Sequence, residues 1–137
     1  SLLDRWDALE ATHGVHLTAQ VSLHARSPAA IMGRLRAAPP TALAGQPVTS
    51  TEDLSAAGTS RAAGAGGDAG LPPADVLIYR LPGGRVVIRP SGTEPKLKAY
   101  LEVVEPATPS TLPTARVAAG RRLEPLRAAV VDLVRPR

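Results

Sequence analysis

The stretch Arg85-Val86-Val87-Ile88-Arg89-Pro90-Ser91-Gly92-Thr93-Glu94-Pro95-Lys96-Leu97-Lys98 decides the reading of the chain. Apolar and polar residues alternate on either side of it, which predicts two strands joined by a short loop between two prolines. The loop has the chemistry of an oxyanion site. Arg89 carries a planar guanidinium fork that matches phosphate oxygens in pairs. Ser91 and Thr93 each offer a hydroxyl donor, and Gly92 allows the backbone N–H close approach. Pro90 and Pro95 stiffen the connection and lower the entropy lost when a ligand orders it. Lys98 adds a second cation on the outgoing strand. The competing reading is a plain polar connection between two strands.

Outward from the loop, Leu97, Ala99, Leu101 and Val103 alternate with Lys98, Tyr100 and Glu102, which puts Lys98 on the face away from the core. Asp75 to Leu81 predicts the strand before the loop's incoming partner, with Pro82-Gly83-Gly84 as the hairpin turn. Further back, Val15, Leu17, Ala19, Val21 and Leu23 alternate with His16, Thr18, Gln20, Ser22 and His24, another half-buried strand. His16 and His24 share a face but lie roughly 26 Å apart at strand rise, too far to chelate one metal. The three histidines read as structural or solvated. Ser27 is an N-cap with Pro28 at the first helical position. Ile31, Met32 and Leu35 make that helix's apolar stripe, and Pro39-Pro40 ends it. Pro47 to Thr51 predicts a short edge strand. Leu123, Leu126, Val130, Leu133 and Val134 form a C-terminal helical stripe, with a kink or restart expected at Pro125 in a first turn.

Two segments differ in kind. Leu2, Leu3, Trp6 and Leu9 recur at helical spacing up to Gly14, with no element before them to pack on. Residues 1–14 are expected to be the terminal helix and hinge of a preceding domain, the hinge lying at 13–16, and residues 15–137 the domain proper. The chain does not start with Met, so Ser1 is expected to be a cut end. Residues 55–74 hold five of the twelve glycines and no periodicity, and are expected to be a flexible loop. Gly64, Gly66 and Gly67 lack the flanking strand and helix of a nucleotide loop.

The chain of 137 residues has room for one modest core. With no Phe, one Trp and two Tyr, that core must be aliphatic. The absence of Cys excludes disulfides and thiolate metal sites. No run is apolar and long enough to span a membrane. A net charge of +4 invites a nucleic-acid reading, but the arginines are scattered and aromatics for base stacking are nearly absent. The only two lysines, Lys96 and Lys98, both flank the loop. Strand, helix, antiparallel strands, helix predicts an α+β two-layer domain, a mainly antiparallel sheet with helices on one face.

The run from Arg89 to Glu102 resembles the phosphate-binding loop of the α-D-phosphohexomutases, in particular bacterial phosphomannomutase/phosphoglucomutase enzymes. The likeness extends upstream through Gly70–Asp75 and Tyr79–Leu81, and more loosely over Leu35–Pro40 and the C-terminal helix. It implies the family's C-terminal domain, with a TATA-binding-protein-like sheet, one of four domains in a cytoplasmic parent enzyme. There, a phosphoserine and a bisphosphate intermediate interconvert hexose 1-phosphate and 6-phosphate, with Mg2+ held in another domain. Carried over, Arg89, Ser91, Gly92 and Thr93 would hold the phosphate that is not reacting, with Lys98 assisting. The partners implied are a hexose phosphate and the other domains of the parent chain, with neither nucleic acid nor membrane.

The family's serine-nucleophile, magnesium and sugar-selecting runs are absent from this sequence, so it is expected to hold no catalytic or metal residue and no cofactor. Ser91 has no base beside it in sequence and reads as a neutral donor. Glu94 reads as a solvated loop residue. The sequence leaves mannose versus glucose open, because the selecting loop lies elsewhere. Two alternatives stand beside this reading, a basic nucleic-acid-binding module and a phosphoglucosamine mutase, whose loops more often end in an Ile-Arg pair than in Lys96-Leu97-Lys98.

Overall fold

Alternating sequence becomes an antiparallel sheet because only one of its faces is covered. In a computed structural model that describes residues 1–55 and 73–135, five strands form this sheet. They are β1 (Val15–His24), β4 (Ser50–Asp53), β5 (Leu77–Leu81), β6 (Gly84–Pro90) and β7 (Lys96–Glu105). Their order is β1-β7-β6-β5-β4, all antiparallel, so the first strand lies beside the last. The fold is α+β, as the sequence predicts. Three helices accompany the sheet: α1 (Leu2–His13), α2 (Pro28–Ala37) and α3 (Leu112–Val134).

The core-facing residues of the sheet are Val21, Leu77, Tyr79, Leu81, Val86, Ile88, Leu97, Ala99 and Leu101. They pack against Ile31, Met32 and Leu35 of α2 and Leu126, Val130 and Val134 of α3. β1 is an edge strand, so Leu17, Ala19 and Leu23 are only half-buried. Ser27 caps α2 as expected, its Oγ accepting from the Ala30 N–H at 3.2 Å. The Pro82-Gly83 turn joins β5 to β6. Gly83 has φ of +67°, and a Cβ there would lie 3.0 Å from the Val104 carbonyl oxygen, so the turn requires glycine.

Three expectations need correction. The strand expected at Pro47 to Thr51 is split. Gln46–Pro47 (β3) pairs instead with Ala42–Leu43 (β2) in a separate two-stranded ribbon, and the edge of the main sheet is Ser50–Asp53. The ribbon turns through Ala44 and Gly45, both at positive φ, the geometry that matches strand twist in a two-residue hairpin. β5 begins at Leu77 rather than Asp75, whose carboxylate goes to Arg36. Finally, α3 starts at Leu112 and runs unbroken through Pro125, which is interior rather than in a first turn. Its buried stripe of Leu112, Ala115, Ala119, Leu126, Val130 and Val134 continues on both sides of the proline. Leu112, Ala115 and Ala119 pack with Val15 in a second, smaller core cluster. Packing at both ends therefore outweighs the hydrogen bond that Pro125 cannot donate.

Of the glycine-rich segment 55–74, in which a flexible loop is expected, residues 56–72 lie outside the described residues. The ends of that segment are held. Arg36 donates to Asp53 through Nε at 3.1 Å and to Asp75 through its terminal Nη2. α1 buries no residue, and Leu2, Leu3, Trp6 and Leu9 are all exposed. Arg116 of α3 ties it down by bonding Asp7 at 2.6 Å and Glu10 at 2.8 Å.

Candidate functional site

The loop 91–95 caps one end of the sheet. Pro90 pairs with Leu97, the Ser91 N–H donates to the Lys96 carbonyl at 2.8 Å, and the Ala25 N–H donates to the Pro95 carbonyl at 2.9 Å. The loop is thus fixed at its base on β6 and β7 and at its side on the β1–α2 connection. Its tip, from Gly92 to Pro95, is exposed.

Register brings the predicted cations together. Arg89 on β6 stands opposite Lys98 on β7, and Lys98 stands opposite Ser22 on β1. Leu97 and Ala99 are buried on the core side, so Lys98 faces outward as the alternation predicts. Neither Arg89 nor Lys98 forms an ion pair within 4.0 Å among the described residues. The Ser91 and Thr93 hydroxyls likewise have no hydrogen-bond partner among them. Two cations and two hydroxyls therefore gather at an exposed loop with their bonding capacity unspent. A Cβ on Gly92 would meet nothing within 4 Å, and its φ is not positive. Its lack of a side chain serves to keep the loop mouth open rather than to make the turn.

Elsewhere on the open face of the sheet, charge is already matched. Arg80 bonds Glu52 at 2.9 Å, while Glu102 lies 3.7 Å from Arg85 and 3.9 Å from His16. Unmatched positive charge is concentrated at the loop end.

Glu94 is an exposed loop residue, as the sequence reading has it, and it is also paired. Its carboxylate pairs with Lys96 at 2.7 Å. That hydrogen bond and the Lys96 charge hold the Glu94 carboxyl below its ordinary value, with His24 and Lys98 adding to the effect. Lys96 is therefore engaged inside the loop, and Lys98 is the lysine left available. Sequence reasoning also missed Arg26 and His24. They line a cleft of about 670 Å³ beside Pro95, between the end of β1 and the start of α2. The His24-Ala25-Arg26 run directly before an N-capped helix was the available signal.

No three His, Asp or Glu side chains among the described residues cluster to hold a metal. No helix of the described residues is long and apolar enough to cross a membrane.

A search of curated proteins finds no match to the chain. The family model for phosphoglucomutase/phosphomannomutase, C-terminal domain, matches residues 46–119, which contain β4 to β7, the whole loop and the start of α3. More than half of the chain is covered by that match, which includes Arg89, Ser91, Gly92, Thr93 and Lys98 but not Ser22, His24 or Arg26, and the chain belongs to the phosphoglucomutase/phosphomannomutase C-terminal domain family.

Proposed function

We propose that this chain is the phosphate-holding domain of a phosphohexomutase that interconverts hexose 1-phosphate and 6-phosphate through a phosphoserine enzyme and a bisphosphate intermediate. Arg89, Ser91, the Gly92 backbone and Thr93 grip the phosphate that is not reacting, and Lys98 neutralises it from the adjacent strand. The nucleophile and the magnesium site belong to other domains of the parent chain. Binding energy from the remote dianion orients the reacting end of the sugar. One observation carries the reading: Arg89 and Lys98 face each other at the loop with no anionic partner among the described residues, while most other cations described on that sheet face are paired.

Titration of the chain with inorganic phosphate, followed by amide chemical shifts, tests it. Shifts should cluster at residues 89–98 and disappear in Arg89→Ala. Arg89→Lys should restore only part of the binding, because a point charge cannot reproduce the fork. Shifts that cluster elsewhere, or persist without Arg89, overturn the assignment. The isolated chain should not turn over hexose phosphates; turnover by host-free protein would contradict the proposal.

A further inference from the structure

The open face of the sheet is arranged in rows, and the row next to the phosphate cations has a different chemistry. Two residues along each strand from Arg89, Lys98 and Ser22 stand Val87, Tyr100 and Gln20. Val87 pairs with Tyr100, and Tyr100 with Gln20. Ile78 extends the row on the other side of Val87. Tyr100 is 39% exposed, one of the few large hydrophobic side chains among the described residues that is, and the only one of these on the described sheet. It has no hydrogen-bond partner among the described residues. In the next row Arg85 lies against Glu102, while Arg80 reaches back to Glu52, which stands opposite Ile78 at the end of the Tyr100 row.

We infer that Tyr100, with Gln20 beside it, is a sugar platform that selects phosphate esters of a pyranose over phosphate itself. The inference rests on the phosphate-holding reading of the loop. The row lies about 7 Å along the strands from Arg89 and Lys98, a reach that a six-carbon ring attached to a bound phosphate covers. The face of a phenol ring accepts the C–H face of a pyranose, and burying both removes apolar surface from water. The Gln20 amide supplies a donor and an acceptor for ring hydroxyls. Paired charge in the row beyond offers nothing to a second anion, so the ligand's far end is left free.

The test compares inorganic phosphate, methyl phosphate and glucose 6-phosphate on the full 137-residue chain and on its variants. The wild type should bind glucose 6-phosphate about three- to tenfold more tightly than methyl phosphate, the range expected for one aromatic contact. Tyr100→Ala should abolish that difference and leave inorganic phosphate affinity unchanged. Tyr100→Phe should keep most of it. Tyr100 faces solvent, so the change opens no cavity, and an unchanged denaturation midpoint confirms that the variant is folded. Equal affinity for the two esters in the wild type overturns the inference. So does a difference that survives Tyr100→Ala, or a loss of inorganic phosphate binding in that variant. Phosphate binding that requires Arg89 without any sugar advantage overturns only this inference. Phosphate binding that ignores Arg89 overturns the loop reading and this inference together.

Discussion

Glu94 and Lys96 form an ion pair across Pro95, with 2.7 Å between Oε2 and Nζ, at the mouth of a loop that otherwise presents only cations and hydroxyls. A carboxylate held there repels an incoming phosphate and neutralises one of the two lysines. Its carboxyl sits below the ordinary value, chiefly through Lys96, so it stays ionised throughout the neutral range. Glu94→Gln should strengthen inorganic phosphate binding a few-fold at low salt, with the gain shrinking as ionic strength rises. Phosphate titration of the variant at two salt concentrations measures this. Weaker binding would mean that the ion pair shapes the loop instead of opposing the ligand.

Tyr79 is fully buried, and its hydroxyl finds no hydrogen-bond partner among the described residues. Burial pushes the phenol up to about 12, with the Arg36 charge opposing and Asp53 reinforcing the shift. Tyr79→Phe should stabilise the fold by about 1–3 kcal/mol, because it removes an unsatisfied buried donor without changing shape. The raised value also has a pH signature. The unfolded phenol ionises near pH 10 while the folded one keeps its proton. Stability is therefore fully present below about pH 10 and lost as pH rises toward 12. Denaturant midpoints across that window should fall more steeply in the wild type than in Tyr79→Phe.

Arg122 is the buckle at the far end of the sheet. Its guanidinium donates to the Val104 carbonyl at 3.0 Å, the Glu105 carboxylate at 2.7 Å and the Pro82 carbonyl at 2.9 Å. It thus joins α3 to the end of β7 and to the β5–β6 turn. Arg122→Ala should cost about 1.5–3 kcal/mol of stability, read from urea unfolding. Lysine at this position should recover only part of the loss, lacking the fork that reaches several acceptors.

Arg36 closes the base of the segment between Asp53 and Asp75. Burial raises the Asp53 carboxyl, but bonds from Ser55 and Arg36 outweigh it and hold the group below its ordinary value. The stabilisation this represents is present above about pH 4 and lost as pH falls through the depressed folded value. In Arg36→Ala, amide exchange should accelerate at Leu54 and Ala74, whose N–H groups donate to Val76 and Leu54 at 3.0 and 2.8 Å. Unchanged protection there would assign the closure to the backbone bonds alone.

Elements that carry a strong period were legible in the sequence. β1, β7 and α2 fall where alternation and the Ser27-Pro28 cap put them, and the loop cations meet as strand register requires. The first half of α3 was not legible, since Ala115 and Ala119 bury a face without giving a hydrophobic signal. The Ala42–Pro47 ribbon was missed because its turn consists of Ala44 and Gly45 at positive φ, and only the glycine advertises it. The placement of Arg26 and His24 beside Pro95 depends on how the loop meets the β1–α2 connection. That meeting is tertiary, and no local pattern encodes it.

β7 lies between β6 and β1, and Val15 pairs with Glu105 while His24 pairs with Lys96. Such pairing closes a very long loop, so it adds strongly to contact order and slows folding. During synthesis the β5–β6 hairpin can form early, but the strand that opens the domain must wait for the one that closes the sheet. The same late docking brings Ser22 beside Lys98 and the Ala25 N–H onto the Pro95 carbonyl. A chain that stops short of this step lacks the Ala25 bond to Pro95 and the β1 side of the loop. Assembly of the loop's surroundings and completion of the sheet therefore arrive in one kinetic event.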